Sequence, residues 1–305
     1  VFTGIVTKSV YSASLANVDW LHGGAETLLT TTNLYVASGF RDAMAGEAPP
    51  EDPSFRYPAF AVFALVVLAT AAGPALGFEQ HSAFLFGLGN LEANPLDGIL
   101  AVGAEPANAL SIPTWAIHFS SVFEWLFAMG MVNMYAKATG NPSWRYLTYG
   151  MLPLHASGVA ACTYHFFYNS PDVSFLVALQ AGLTLLGNTT VAIAALLIAM
   201  SNGWTLSQAL QDANPFAKAS NDEENGEEAS SASAAVATLT PQDVPSTPLV
   251  AVELVLLTVA SSYLLKYGET ALGVPFDPSA ALGWLICLGI PAVVGYRFAA
   301  MPKQA

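Results

Sequence analysis

Six times between Pro58 and Ala300 the chain runs through about twenty residues that are almost free of charge. That is the length a helix needs to cross a hydrocarbon core roughly 30 Å thick. The windows are about Pro58–Phe78, Pro113–Ala136, Tyr146–Tyr168, Val173–Met200, Pro248–Lys266 and Ser279–Ala300. Glu124 interrupts the second, Glu253 lies near the start of the fifth, and Pro291 and Arg297 lie in the sixth. Proline at or near the start of several windows suits a first helical turn, where a missing N–H costs nothing. The predicted fold is therefore all-α, a polytopic membrane bundle of about six transmembrane helices.

Composition excludes the alternatives. Of 305 residues, 54% are hydrophobic and 10% charged, whereas soluble domains carry about 25% charged residues. Nine basic residues against 22 acidic ones leave no surface for nucleic-acid phosphates. Cys162 and Cys287 sit far apart in apolar segments, which is neither a disulfide framework nor a zinc-finger spacing. Nothing matches a Ser-His-Asp order, HExxH or a phosphate-binding glycine loop, so no enzyme is predicted.

Basic residues set the expected orientation. With six spans, Lys8, Arg41, Arg56, Lys137, Arg145, Lys218, Arg297 and Lys303 share one side, and only Lys266 lies on the other. Both termini are thus expected on the cytoplasmic side, or the stromal side of a thylakoid. Residues 1–57 read as an N-terminal extension on that side, with an interfacial helix at most over Thr27–Phe40. Residues 58–107 hold the first span and a lumenal-side loop carrying Glu79, Glu92, Asp97 and Glu105. Residues 108–200 form a three-span core. The acidic Ser/Ala-rich stretch 201–247 reads as a disordered linker, because it has too little apolar surface to order itself. A two-span module, 248–305, ends the chain.

Ionisable groups at membrane depth are costly and so mark candidate sites. Glu124 lies mid-span with Ser120, Ser121 and Ala128 near it on the helix surface, as a ligand or proton site or as a protonated acid bonded to a neighbour. His118 precedes it on the same span, and His155 and His165 fall on one face of the next. Ten residues separate those two, about 15 Å along a helix, so they cannot ligate one ion or one haem iron. Each of the three histidines is a candidate axial ligand for its own pigment or haem, or a buried hydrogen-bond donor. Gln180, Thr184 and Asn188 form a weak polar stripe suited to helix–helix hydrogen bonds, and Lys266 and Glu269 suit a helix end.

The pieces PTWAIHFSSVFEW, TGNPSWRYLTYGMLPLHASG and CTYHFFYNSP, within residues 108–200, resemble the cyanobacterial and plastid membrane-protein family typified by hypothetical chloroplast reading frame forty-nine. The tail ELVLLTVASSYLLKYGE…PFDPSAALGWLICLGIPA, about 248–298, resembles a second plastid-associated two-helix family. The resemblance implies a chloroplast thylakoid membrane rather than a chemistry. The function expected from it is an accessory or assembly subunit of a photosynthetic complex, most readily a photosystem supercomplex. Its partners would be thylakoid complex subunits and lipid. Chlorophyll and carotenoid are the expected cofactors, ahead of haem. A small-solute or ion transporter using Glu124 is the alternative.

Overall fold

The computed structural model describes residues 2–45, 57–87, 108–205, 207, 247–272 and 278–301. The core of the acidic linker, the loop acids Glu92, Asp97 and Glu105, and the side chain of Glu269 lie outside the described residues. All regular structure among the described residues is helical: α1 (Phe2–Tyr11), α2 (Asp19–Ala45), α3 (Tyr57–Ala72), α4 (Ile112–Ala138), α5 (Trp144–Gly150), α6 (Leu152–Phe166), α7 (Phe175–Ser201), α8 (Thr247–Leu272) and α9 (Ala280–Ala300). The molecule is an all-α membrane bundle. Among the described residues, four helical stretches are long and apolar enough to cross a membrane: Tyr57–Leu76, Ile112–Ala138, Pro171–Ser201 and Ala280–Ala300.

The third apolar window is two helices, α5 and α6, meeting at Met151. Pro153, in the first turn of α6, lacks the N–H that would continue the α5 ladder. The main departure from the sequence reading is α2. It is a 27-residue helix packed lengthwise on α4, not an extension lying beside the bundle.

The reason lies in small residues. A Cβ on Gly23 would come within 2.8 Å of the Thr114 hydroxyl. Seven residues on, Thr30 and Ser121 share a hydrogen bond of 3.1 Å. Seven further, Ala37 and Ala128 enter one buried cluster with Met129, Val132, Met151 and Phe298. The equal spacing on both helices means that they run parallel, and small side chains let their backbones approach closely. Hydropathy alone does not detect such a helix, because threonine and glycine contribute the contact.

The remaining contacts fix the other directions. Thr148 donates to the Met129 carbonyl at 3.3 Å and Gly158 faces Val122, so α5 and α6 return antiparallel to α4. Ser157 bonds Thr184 at 2.7 Å and the Gln180 carbonyl at 3.1 Å, while Thr190 donates to the Gly150 carbonyl at 2.7 Å. Thus α7 runs antiparallel to α5–α6, and Thr184 of the polar stripe bonds between helices. Cys287 packs near Thr163 and Gly295 near Leu152, which sets α9 antiparallel to α6. The starts of α2, α4, α7 and α9 therefore share one end of the bundle with the end of α6. Met301, beside Asn133, marks the opposite end.

Candidate functional site

At the shared end, three helices each supply one buried imidazole. His22 comes from the first turn of α2, His118 from α4 and His165 from the last turn of α6. Every pair of ring centroids is 4.8 Å apart. One nitrogen from each ring can be chosen so that all three lie within 4.8 Å of one another. All three side chains are buried, with exposures of 6%, 4% and 5%.

The register of the helices produces this meeting. Gly23 against Thr114 brings the first turn of α2 alongside α4, one turn before His118. The antiparallel return of α6 brings His165 back to that level. The last turn of α6 is then tied down. Tyr168 and Asn169 both take left-handed backbone angles, φ 50° and 58°, a conformation that disfavours side chains other than Asn, Asp or Gly. The resulting turn lets Asn169 donate to the Ala16 carbonyl at 2.9 Å and to the Asn17 side chain at 2.7 Å. Asp19, one turn before His22, accepts from the Phe84 amide at 2.9 Å and the Ser111 amide at 3.2 Å. It clamps the start of α2 to the approach to α4.

Within this cluster Nδ1 of His22, Nε2 of His118 and Nδ1 of His165 have no hydrogen-bond partner among the described residues. A buried polar atom left unpaired costs about 1–3 kcal/mol. Three buried imidazoles that each place one nitrogen within 4.8 Å of the others form a donor set for a cation. Neutral imidazoles suit zinc, copper, iron and nickel, and three of them plus an open position is a recurrent zinc arrangement. Metal–nitrogen bonds of 2.0–2.1 Å place nitrogens about 3.3 Å apart in a tetrahedral site, closer than the 4.8 Å within which these lie, so an ion would draw the three rings together. Trp115 flanks it, its ring centred 6.4 Å from His118 and 6.3 Å from His165.

Two acidic residues flank His22 along α2, Asp19 before it and Glu26 after it. Asp19 interacts electrostatically with His22. Glu26 follows His22 by four residues on the same face of α2. Glu26 therefore sits one turn deeper in the bundle than His22.

Of the residues singled out in the sequence, His118 and His165 join the cluster. His155 and Glu124 do not. His155 is fully buried, and neither ring nitrogen has a partner among the described residues. The Glu124 carboxylate accepts from Ser120 at 2.5 Å through Oε1, and its Oε2 has no such partner. Lys266 is buried and donates to the Leu110 carbonyl at 2.8 Å. His22 and Glu26 escaped sequence reasoning because α2 was not read as part of the bundle. The repeat Gly23, Thr30, Ala37 is the signal that would have placed α2 against α4.

A family described as "Protein of unknown function (DUF2499)" matches residues 109–197. A second, "Protein of unknown function (DUF3593)", matches residues 1–45, a segment for which the sequence suggested no relative. The "Ycf49-like protein" of the cyanobacterium Synechocystis is 50% identical over 88 residues, 29% of this chain and 85% of the relative. The "Uncharacterized protein ycf49" of Cyanophora paradoxa, a plastid-bearing alga, is 39% identical over 84 residues, 28% of this chain and 82% of the relative. No solved structure matches the chain. His118 and His165 lie in the first matched segment and His22 in the second, so the cluster joins two family segments. With relatives in a cyanobacterium and an alga covered over most of their length, this membrane protein belongs to the Ycf49 family.

Proposed function

We propose that this protein is an accessory component of the photosynthetic membrane, a thylakoid in a plastid, and that its working part is a transition-metal ion held by His22, His118 and His165. The observation that carries the reading is the triangle of buried imidazoles with three unpaired nitrogens. Family relatives in photosynthetic organisms support the setting, either as a docking subunit or as an assembly factor of a photosystem or similar complex.

The spacing favours a bare ion over a tetrapyrrole at this point. Two imidazoles on opposite faces of a haem are held apart by the macrocycle, whereas these ring centroids are 4.8 Å apart. Chlorophyll and carotenoid then belong elsewhere on the molecule, if the complex carries them through this chain. Three neutral ligands leave a divalent ion's two positive charges, and the Asp19 carboxylate lies one turn before His22 at the start of α2. An uncompensated ion at such depth would pay a heavy desolvation cost.

We also infer that α2 crosses the membrane alongside α4. At about 1.5 Å per residue, its 27 residues are long enough. Lys8 then moves to the histidine end with Lys266, while the other seven basic residues follow the opposite end. The bias of seven to two still orients the bundle. It turns the histidine end, with the N terminus, toward the lumen, and only the C terminus toward the stroma.

The test is mild solubilisation of membranes, native separation, and elemental analysis with an absorption spectrum of the band holding this chain. One transition metal per chain, lost when His118 is replaced by alanine, is the expected result. A stoichiometrically metal-free protein sinks the metal reading, and migration apart from every chlorophyll-containing complex sinks the accessory one.

A further inference from the structure

We infer that the metal site is loaded from the aqueous phase at the histidine end, through a polar cavity with His81 at its mouth. This rests on the metal reading above and adds the route. The cavity, about 40 Å³, is lined by residues that include Asn17, Asp19, Gln80, His81, Asn108 and Ser111. A cavity needs only about 10–15 Å³ of such volume to hold a water, so this one accommodates a partly hydrated ion.

Its position is fixed independently on all three ligand-bearing helices. Asp19 lies one turn before His22 on α2, and Ser111 lies two turns before His118 at the start of α4. Asn17 is held by Asn169, one turn beyond His165. Each helix therefore puts the cavity on the same side of its own histidine. Glu26, by contrast, lies on the far side of His22, deeper in the bundle.

The lining has the chemistry of a transfer path. His81 is exposed to solvent and offers an imidazole, the same ligand type as the site below. Asp19, shared between the cavity and the electrostatic environment of His22, attracts a cation inward. The Phe84 ring packs against Gly23 beside Thr114, and its amide is held by Asp19. An ion exchanging one imidazole for another need not shed all its ligands at once, which lowers the barrier to leaving water.

The test uses the full chain in nanodiscs, stripped of metal and mixed rapidly with Co²⁺, whose visible absorption reports nitrogen ligation. The expected result is that His81→Ala slows the appearance of the band several-fold while leaving its final intensity unchanged. Ala83→Phe, which narrows the same cavity without removing a ligand, should slow loading as well. If both variants load at the wild-type rate to the wild-type intensity, the route is overturned and the metal reading stands. A wild-type chain that develops no band overturns both. Loss of final intensity in His81→Ala also overturns the route, since it would make His81 a resident ligand.

Discussion

The centre and the rim of this bundle obey opposite rules. Of the four stretches apolar enough to cross a membrane among the described residues, Tyr57–Leu76 is the most apolar, yet 11% of its 18-residue apolar window is buried; Ile112–Ala138 is the least apolar, and 44% of its window is buried. At the rim, Phe60, Leu65 and Leu68 of α3 and Leu185 of α7 lie exposed, as lipid-facing side chains do. At the centre, α4 buries Thr114, His118, Ser121, Glu124 and Asn133. Lipid is as apolar as leucine and gives helices no hydrophobic reason to associate, so close packing and hydrogen bonds hold the centre together. Polarity in this molecule marks the interior.

The largest test of that contrast removes the centre's chemistry. Replacing His118 and His165 together with alanine should reduce bound transition metal from one per chain to background, read by elemental analysis of the purified protein. Replacing exposed Leu185 with alanine should leave metal content untouched. A double variant that keeps its metal would reduce the triangle to a packing feature.

A matched pair of glycines on α7 separates packing from chemistry. A Cβ on Gly187 would lie 2.8 Å from the Leu154 backbone nitrogen, whereas one on Gly182 meets nothing within 4 Å. Gly187→Ala should destabilise the bundle by about 1–3 kcal/mol, the usual cost of overpacking, and lower the midpoint of thermal unfolding in detergent. Gly182→Ala should not lower it. Equal midpoints would mean that α7 is not held as closely as its contacts with α6 require.

The same contrast explains what the sequence made legible. Each of the six apolar windows coincides with a helix or, for α5–α6, a broken pair, because hydropathy reports the surface that meets lipid. It is silent about α2, whose contacts with α4 run through Gly23, Thr30 and Ala37. The site was legible in the same proportion. His118 and His165 stand out as ionisable residues in apolar windows, but their meeting depends on helix register, and the third member hides on the polar helix. Nothing local to His22 marks it as a partner of residues 96 and 143 positions away.

Glu26 should have a smaller effect than the histidines. On the metal reading an acid one turn from His22 favours a bound cation, so Glu26→Gln should keep the site's shape and lower affinity for a divalent ion by about 10-fold, the low end of the range for groups beyond the first ligands. A competition titration with a chelator measures it. Monovalent copper, which needs less counter-charge, should lose less. Equal loss for both ions would make Glu26 structural.

The smallest effect is expected at His155, and it gives the sharpest form of the comparison, because His165 lies on the same helix. Both rings are buried, and each has an unpaired nitrogen among the described residues. They differ in company: His165 faces two other imidazoles, whereas Gly158 against Val122 and Thr148 against Met129 set His155 at the level of Glu124, away from them. A lone imidazole cannot hold a transition ion inside a bundle, and an unpaired buried polar ring contributes little that an apolar one would not. His155→Leu, close to it in size, should therefore leave metal content unchanged and thermal stability equal or slightly higher. If metal is lost, the centre works as one coupled polar network from His155 to His165, and the division between a metal-holding end and a merely packed middle fails.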